Sequence, residues 1–118
     1  MSPSSEHSES ATKQVLDHHL GAFAAGLDEI LKDYDEQSTV ITPDKTFRGR
    51  AEIAGFFRAF LDGAAPEFWS AFKINSMSTA GEIAYLAWEA KPFVTLATDT
   101  LHVKDGKIAV QTFTSFAA

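Results

Sequence analysis

Apolar residues recur at helical spacing in three stretches of the first half of the chain. In the first, Val15, His19 and Phe23 lie four residues apart on one face, which predicts a helix over residues 11–25. Gly26 then predicts the end of this helix, and a shorter apolar stripe over residues 27–34 predicts a second helix. The third stripe has the clearest spacing and ends before Gly63 and Pro66; its members are Ile53, Phe56, Phe57, Phe60 and Leu61.

The remaining segments favour β-strands. Residues 39–42 are all β-branched and precede Pro43, and residues 46–47 predict a short return strand. From Glu67 onward the pattern predicts four strands, near residues 68–77, 83–90, 95–104 and 107–116. Short turns between them predict an antiparallel meander. Helices at the front and strands at the back therefore predict an α+β domain, with the helices on one face of a curved sheet.

The first ten residues are polar and serine-rich, without apolar periodicity. We interpret residues 1–10 as a flexible tail and residues 11–118 as one domain with one core. The start of the chain lacks the basic and apolar segments of a signal peptide, and no stretch approaches the ~20 apolar residues of a membrane span. We expect a cytoplasmic protein.

Charge and residue types exclude several kinds of site. The net charge of −6, without a Lys/Arg cluster, argues against nucleic acid and anionic membranes as partners. The absence of cysteine excludes disulfides, thiolate metal sites and cysteine nucleophiles. The four histidines show no HxxxH spacing, and the chain has neither a GxGxxG loop nor a GxSxG elbow. We therefore expect no metal and no cofactor.

Three phrases of the sequence carry a family resemblance. They are HHLGAFAAGLDEILKDYDEQSTVITP, then TFRGRAEIAGFF, and at the end TDTLHVKDGKIAVQTF. Over residues 12–116 the chain resembles the SnoaL-like branch of the NTF2-like superfamily, which includes ketosteroid isomerases and polyketide cyclases. The resemblance implies an NTF2-like conical fold, in which a curved antiparallel sheet wraps around the N-terminal helices and an apolar cavity opens at the wide end. It also implies a homodimer through the outer sheet face.

The resemblance assigns three polar positions of the isomerases to this chain. A tyrosine that donates to an oxyanion falls on His19, an aspartate base on Thr42, and a protonated aspartic acid, also an oxyanion donor, on Asp99. A hydroxyl cannot replace a carboxylate as a base at neutral pH, so Thr42 disfavours the ketosteroid isomerase mechanism. Thr42 is then predicted to orient a ligand.

Asp99 is conspicuous without the resemblance. It is the only acidic or basic residue in the predicted strand before Lys104, apart from His102, and it shares its face with Ala97, Leu101 and Val103. On an inner face its carboxyl would be desolvated and its pKa raised. The alternative is an edge-exposed or salt-bridged aspartate.

His19 lies on the apolar stripe of the first predicted helix. It is either a hydrogen-bonded core residue or the acid/base partner of Asp99. His18 points about 100° away and is predicted to be solvated. Asp99 and His19 are the candidate catalytic residues.

The wall of the expected pocket depends on the turn at Asp105-Gly106. A two-residue turn places Thr112 opposite Asp99, whereas a three-residue turn, which Lys104 and Gly106 favour, places Gln111 there. We predict Gln111 and Phe113 as wall residues. Five aromatic residues are further candidates, with an ordinary core or dimer-interface role as the alternative for each: Tyr34, Phe56, Phe57, Trp69 and Trp88. The face on which Trp88 lies is left open.

Three hypotheses of function follow. The first is an enzyme without cofactor that acts on a hydrophobic, oxygenated small molecule by acid/base chemistry, as an isomerase, cyclase or dehydratase. The second is a non-catalytic small-molecule binder or a stress-related accessory protein, and the third is a protein-interaction module. A raised Asp99 pKa beside a cavity favours the first, a cavity without a titrating group the second, and a filled core with an exposed apolar patch the third.

Overall fold

The computed structural model describes residues 3–117 of the chain and the side chains of residues 9–117. The helices are α1 (Pro3–Ala25), α2 (Leu27–Ile30), which continues into a 3₁₀ turn (Leu31–Asp33), α3 (Gly49–Gly63) and α4 (Pro66–Ala71). The strands are β1 (Thr39–Ile41), β2 (Thr46–Arg48), β3 (Phe72–Ala80), β4 (Ile83–Ala90), β5 (Val94–Lys104) and β6 (Lys107–Phe116). Among the described residues no helix is both long and apolar enough to cross a bilayer.

One six-stranded sheet carries the domain, in the order β2-β1-β6-β5-β4-β3. The meander from β3 to β6 is antiparallel, as predicted, whereas β1 joins β6 in parallel. Helix α1 packs against β3, β4 and β5, and α3 packs against β1 and β2. The helices therefore cover the inner face of a curved sheet, which confirms the α+β class.

The segment before β3 differs from the prediction. Pro66–Ala71 forms α4, so the strand expected from residue 68 begins only at Phe72. Proline suits the first turn of a helix, where its missing N–H has no partner to lose, and Glu67 complements the positive end of the helix. This local signal overrides the apolar pattern of the segment.

Helix α1 begins earlier than expected. It starts at Pro3, so residues 3–10 of the predicted tail belong to the helix, while Met1 and Ser2 lie outside the described residues. The side chains of Glu9 and Ser10 are exposed. Whether residues 1–10 stabilise the domain stays a prediction.

The register between β5 and β6 also differs from both alternatives. The turn has two residues, Asp105 and Gly106, with φ values of 53° and 78°, which is the geometry of a type I′ turn. An irregularity after His102 then shifts the pairing by one residue, so that Phe113 lies opposite Asp99. The predictions of Gln111 or Thr112 at that position are wrong, because a bulge inserts a residue that the turn alone does not reveal.

Candidate functional site

A cavity of about 480 Å³ lies between the helices and the inner face of the meander. Its wall combines residues of α1, α3 and α4 with residues of β3 to β6, and most of them are apolar or aromatic. This volume and lining are typical of small-molecule sites. The aromatic residues of the wall are Phe23, Phe56, Phe57, Phe60, Trp69, Phe72, Trp88 and Phe113.

The carboxyl, imidazole and amide side chains of the described cavity wall lie in its buried part. His19, Asp99 and Gln111 are its polar lining residues, and each is at most 5% exposed. Ala24 and Trp69 line the same cavity and are exposed to solvent. The cavity therefore has an apolar entrance and a small polar end.

Asp99 lies at that polar end, on the inner face of β5. Its Oδ2 accepts a hydrogen bond from Trp88 Nε1 at 2.9 Å, and its Oδ1 accepts one from Gln111 Nε2, also at 2.9 Å. The strands place these partners directly, because Trp88 pairs with Ala97 and Gln111 with Leu101, each two residues from Asp99 on the same face. Two N–H donors on one carboxyl hold both oxygens in a fixed orientation.

Gln111 is in turn oriented from outside the cavity wall. The hydroxyl of Tyr34 donates to Gln111 Oε1, so the amide presents its N–H to Asp99. Tyr34 is 2% exposed and its pKa lies well above the ordinary value, because burial and then Asp99 disfavour the phenolate. Tyr34 is therefore a neutral donor that supports the site. Its predicted place on the cavity wall is wrong.

Burial raises the pKa of Asp99 from its ordinary 3.8 to about 6, although the hydrogen bonds from Trp88 and Gln111 favour the charged form. The carboxyl is thus largely ionised at pH 7 and can take up a proton only slightly below neutrality. A group with this pKa is suited to act as a general base near pH 7.

His19 faces the same cavity from α1. Its Nδ1 is buried without a hydrogen-bond partner among the described residues, and rings of Phe23 and Phe57 contact it edge-on at centroid distances of 5.1 and 6.1 Å. Burial, and to a smaller extent His18, lowers its pKa from 6.5 to about 4. His19 is therefore a neutral imidazole on the cavity wall, with one buried ring nitrogen that no group of the described residues satisfies.

Comparisons with known proteins decide the family. A family model of the SnoaL-like domain matches residues 16–111. The chain belongs to the SnoaL-like domain family. The comparison with curated proteins found no match.

Solved structures agree with the fold of a SnoaL-like domain. An NTF2-like protein of unknown function from Burkholderia xenovorans is 17% identical with a TM-score of 0.73, over 94% of this chain and 87% of that one. A SnoaL-like protein of unknown function from Burkholderia thailandensis is 15% identical with a TM-score of 0.72, over 92% and 97%. An M. tuberculosis LEH-like epoxide hydrolase is 15% identical with a TM-score of 0.67, over 92% and 84%. At these identities the likeness concerns the fold, which confirms the NTF2-like architecture.

Most of the predicted site residues of this SnoaL-like domain meet in one cavity. Both candidate catalytic residues, Asp99 and His19, line this cavity. Trp88, whose side of the sheet the sequence left open, lies on the inner face and also lines the cavity. The predicted binding residues that also lie on the wall are Phe56, Phe57, Trp69, Gln111 and Phe113. Whether they bind a substrate stays a prediction.

Thr42 does not belong to the site. Its hydroxyl donates to the carbonyl of Lys45 and accepts from the Lys45 amide, both at 3.1 Å, and so closes the turn between β1 and β2. The prediction that Thr42 orients a ligand is wrong, because β1 ends at Ile41 and the chain has already entered the turn.

Sequence reasoning missed six wall residues. Phe23 and Phe60 belong to helical stripes, and each lies one turn beyond a predicted site residue, His19 or Phe56. Phe72 lies within the strand predicted near residues 68–77, and the sequence pattern does not distinguish it from the other residues of that strand. The other three missed residues are Leu20, Ala24 and Leu86.

His18 is not simply solvated, contrary to the prediction. Its Nδ1 lies 2.7 Å from Asp33 Oδ2 and its Nε2 lies 2.5 Å from Glu29 Oε2. These two hydrogen bonds, that of Glu29 first, raise the pKa of His18, and they tie α1 to α2 and the 3₁₀ turn. No cluster of three metal-ligating side chains occurs within the described part of the chain.

Proposed function

We propose that this SnoaL-like domain is a cofactor-independent acid/base enzyme that acts on a hydrophobic, oxygenated small molecule. The observation that carries the proposal is Asp99: an oriented carboxyl with a pKa of about 6 at the polar end of an otherwise apolar cavity. A structure of the same fold from M. tuberculosis is described as an LEH-like epoxide hydrolase, which supports chemistry on oxygenated small molecules for a domain of this fold.

Asp99 acts as the general base in this proposal. Its carboxylate removes a proton from the carbon next to a substrate carbonyl. The electron pair of the C–H bond forms a C=C bond, and the π pair of the C=O bond moves onto the carbonyl oxygen. Neutral His19 donates a hydrogen bond to that developing oxyanion, as a neutral imidazole can without becoming a strong acid. Protonated Asp99 then returns the proton to another carbon of the enolate, which gives isomerisation. In a dehydration it instead gives the proton to a β-hydroxyl group, which leaves as water as the enolate re-forms the C=O bond. In a cyclisation the enolate carbon bonds to a second carbonyl carbon of the substrate, and the proton goes to the alkoxide that results.

A carbon-acid exchange assay tests the reaction without knowledge of the substrate. The bicyclic ketone 2-tetralone is incubated with the protein in D₂O, and NMR follows deuterium incorporation next to the carbonyl. We expect exchange above the buffer rate that rises with pH through about 6 and falls by at least about a hundredfold in Asp99→Asn. Asp62→Asn, which removes an exposed carboxyl of α3, is the matched control for net charge.

The alternative is a small-molecule binder without catalysis. Binding of 2-tetralone, followed by quenching of the fluorescence of Trp69 and Trp88, with exchange at the buffer rate would favour this alternative over the enzyme.

We also propose that the outer face of the meander pairs two copies of the chain. Four large apolar side chains on this face are 40–59% exposed, namely Ile83, Tyr85, Leu96 and Phe116. Light scattering at micromolar concentration should give a dimer mass, and Tyr85→Lys should give a monomer. A monomer of the unaltered protein would remove this proposal.

A further inference from the structure

The buried carboxyl of Asp99 has no cationic partner among the side chains that the structure describes. Its hydrogen-bond donors, Trp88 Nε1 and Gln111 Nε2, are both neutral, and no cation from residues 9–117 contributes to its pKa. Among the described residues that line the cavity there is no lysine or arginine, and His19 is neutral. Buried charges in proteins are normally paired, because an isolated ion loses its hydration without compensation.

The surroundings of this carboxyl suit a cation better than an anion. Trp88 and Phe113 stack on each other at a centroid distance of 6.2 Å and an interplanar angle of 17° beside Asp99, and Phe72 contacts Trp88 at 5.1 Å. The faces of aromatic rings attract cations, and most strongly where water is excluded. An anionic ligand would meet the charge of Asp99 without any basic side chain to offset it.

We propose that the cavity binds a hydrophobic amine, whose ring or chain fills the aromatic part and whose protonated nitrogen lies against Asp99. The ligand itself would then supply the missing counter-charge. This inference goes beyond the proposed reaction and does not require it, since it concerns binding alone.

The pH dependence of amine binding follows from the groups that face Asp99. These are Trp88 on β4, Gln111 on β6, Tyr34 behind Gln111, and His19 on α1, and only His19 among them titrates in the acidic range. Because the pKa of His19 is about 4, the imidazole stays neutral where Asp99 gains its proton, near pH 6. Amine affinity should therefore fall as the pH is lowered from 7.5 to 5.

Three ligands of one shape and different charge test the inference: 1-naphthylmethylamine, 1-naphthylmethanol and 1-naphthoate. Calorimetry at pH 7.5 should show the amine binding at least about tenfold more tightly than the alcohol, and the carboxylate more weakly than either. In Asp99→Asn the affinity for the amine should fall at least about tenfold more than the affinity for the alcohol, so that the preference is lost. The exposed-site variant Asp62→Asn should bind all three as the unaltered protein does.

The outcomes separate this inference from the proposed function. If the alcohol binds as tightly as the amine, or if amine affinity does not change between pH 7.5 and 5, the amine site is refuted while carbon-acid exchange can still be observed. If no naphthyl compound binds, the amine site is refuted as well. The pH series uses the unaltered protein, so the test does not depend on the folding of a variant.

Discussion

Asp99 and His19 should impose opposite pH dependences on the stability of the domain. The pKa of Asp99 rises from 3.8 to about 6 on folding. The carboxyl therefore leaves the free energy of unfolding unchanged below pH 3.8 and lowers it by the full amount above pH 6. The pKa of His19 falls from 6.5 to about 4, so the imidazole costs no stability above pH 6.5 and its full cost below pH 4. Since each pH unit between two pKa values corresponds to about 1.4 kcal/mol, either full cost is about 3 kcal/mol.

Between pH 4.5 and 7.5 these contributions nearly cancel in the unaltered protein. Over that interval Asp99 lowers the free energy of unfolding by about 2 kcal/mol as the pH rises, whereas His19 raises it by a similar amount. Removal of either group should therefore reveal the pH dependence of stability that the other group imposes. Between pH 4.5 and 7.5, the free energy of unfolding of Asp99→Asn should rise by about 2 kcal/mol relative to that of the unaltered protein. The free energy of unfolding of His19→Phe should fall by about 2 kcal/mol on the same comparison.

Urea denaturation at several pH values, followed by circular dichroism, measures these differences. The comparison with the unaltered protein at each pH removes the contributions of all other titrating groups that a variant leaves unchanged, and Asp62→Asn controls for net charge. Unchanged m-values would show that the unfolding reaction is the same. If the stability of Asp99→Asn runs parallel to that of the unaltered protein from pH 4.5 to 7.5, Asp99 is not a desolvated carboxyl and the reasoning about the site fails.

Two further predictions concern residues outside the cavity. Because hydrogen bonds to Glu29 and Asp33 raise the pKa of His18, the stability that this histidine contributes is complete below pH 6.5 and is lost as the pH rises through the folded-state pKa. In urea denaturation, His18→Gln should therefore destabilise the protein more at pH 6 than at pH 9. An equal loss of stability at both pH values would contradict the ion pairs. In the same assay, Thr42→Val should lower the free energy of unfolding by about 1 kcal/mol, since it removes two hydrogen bonds with Lys45. It should leave the affinity for the naphthyl ligands unchanged. A weaker affinity would show that Thr42 contributes to the binding site.

The sequence alone determined the elements that depend on local pattern. The strands Ile83–Ala90 and Lys107–Phe116 begin and end where alternation and turn residues predicted them. The inward position of Asp99 followed from the same alternation, because side chains of one strand face opposite sides in turn. The helical stripes of α1 and α3 likewise predicted the faces that carry His19 and Phe57.

The tertiary structure alone decided which polar groups meet. Tyr34 and Gln111 are separated by 77 positions in the chain, and His18 and Asp33 by 15, so no local spacing reveals either contact. A single irregularity after His102 replaced the expected partner of Asp99 with Phe113, since one inserted residue shifts every later pair of a strand. The pKa of Asp99 also depends on how completely the packed helices remove water from its carboxyl, and desolvation is a property of the assembled cavity rather than of any segment.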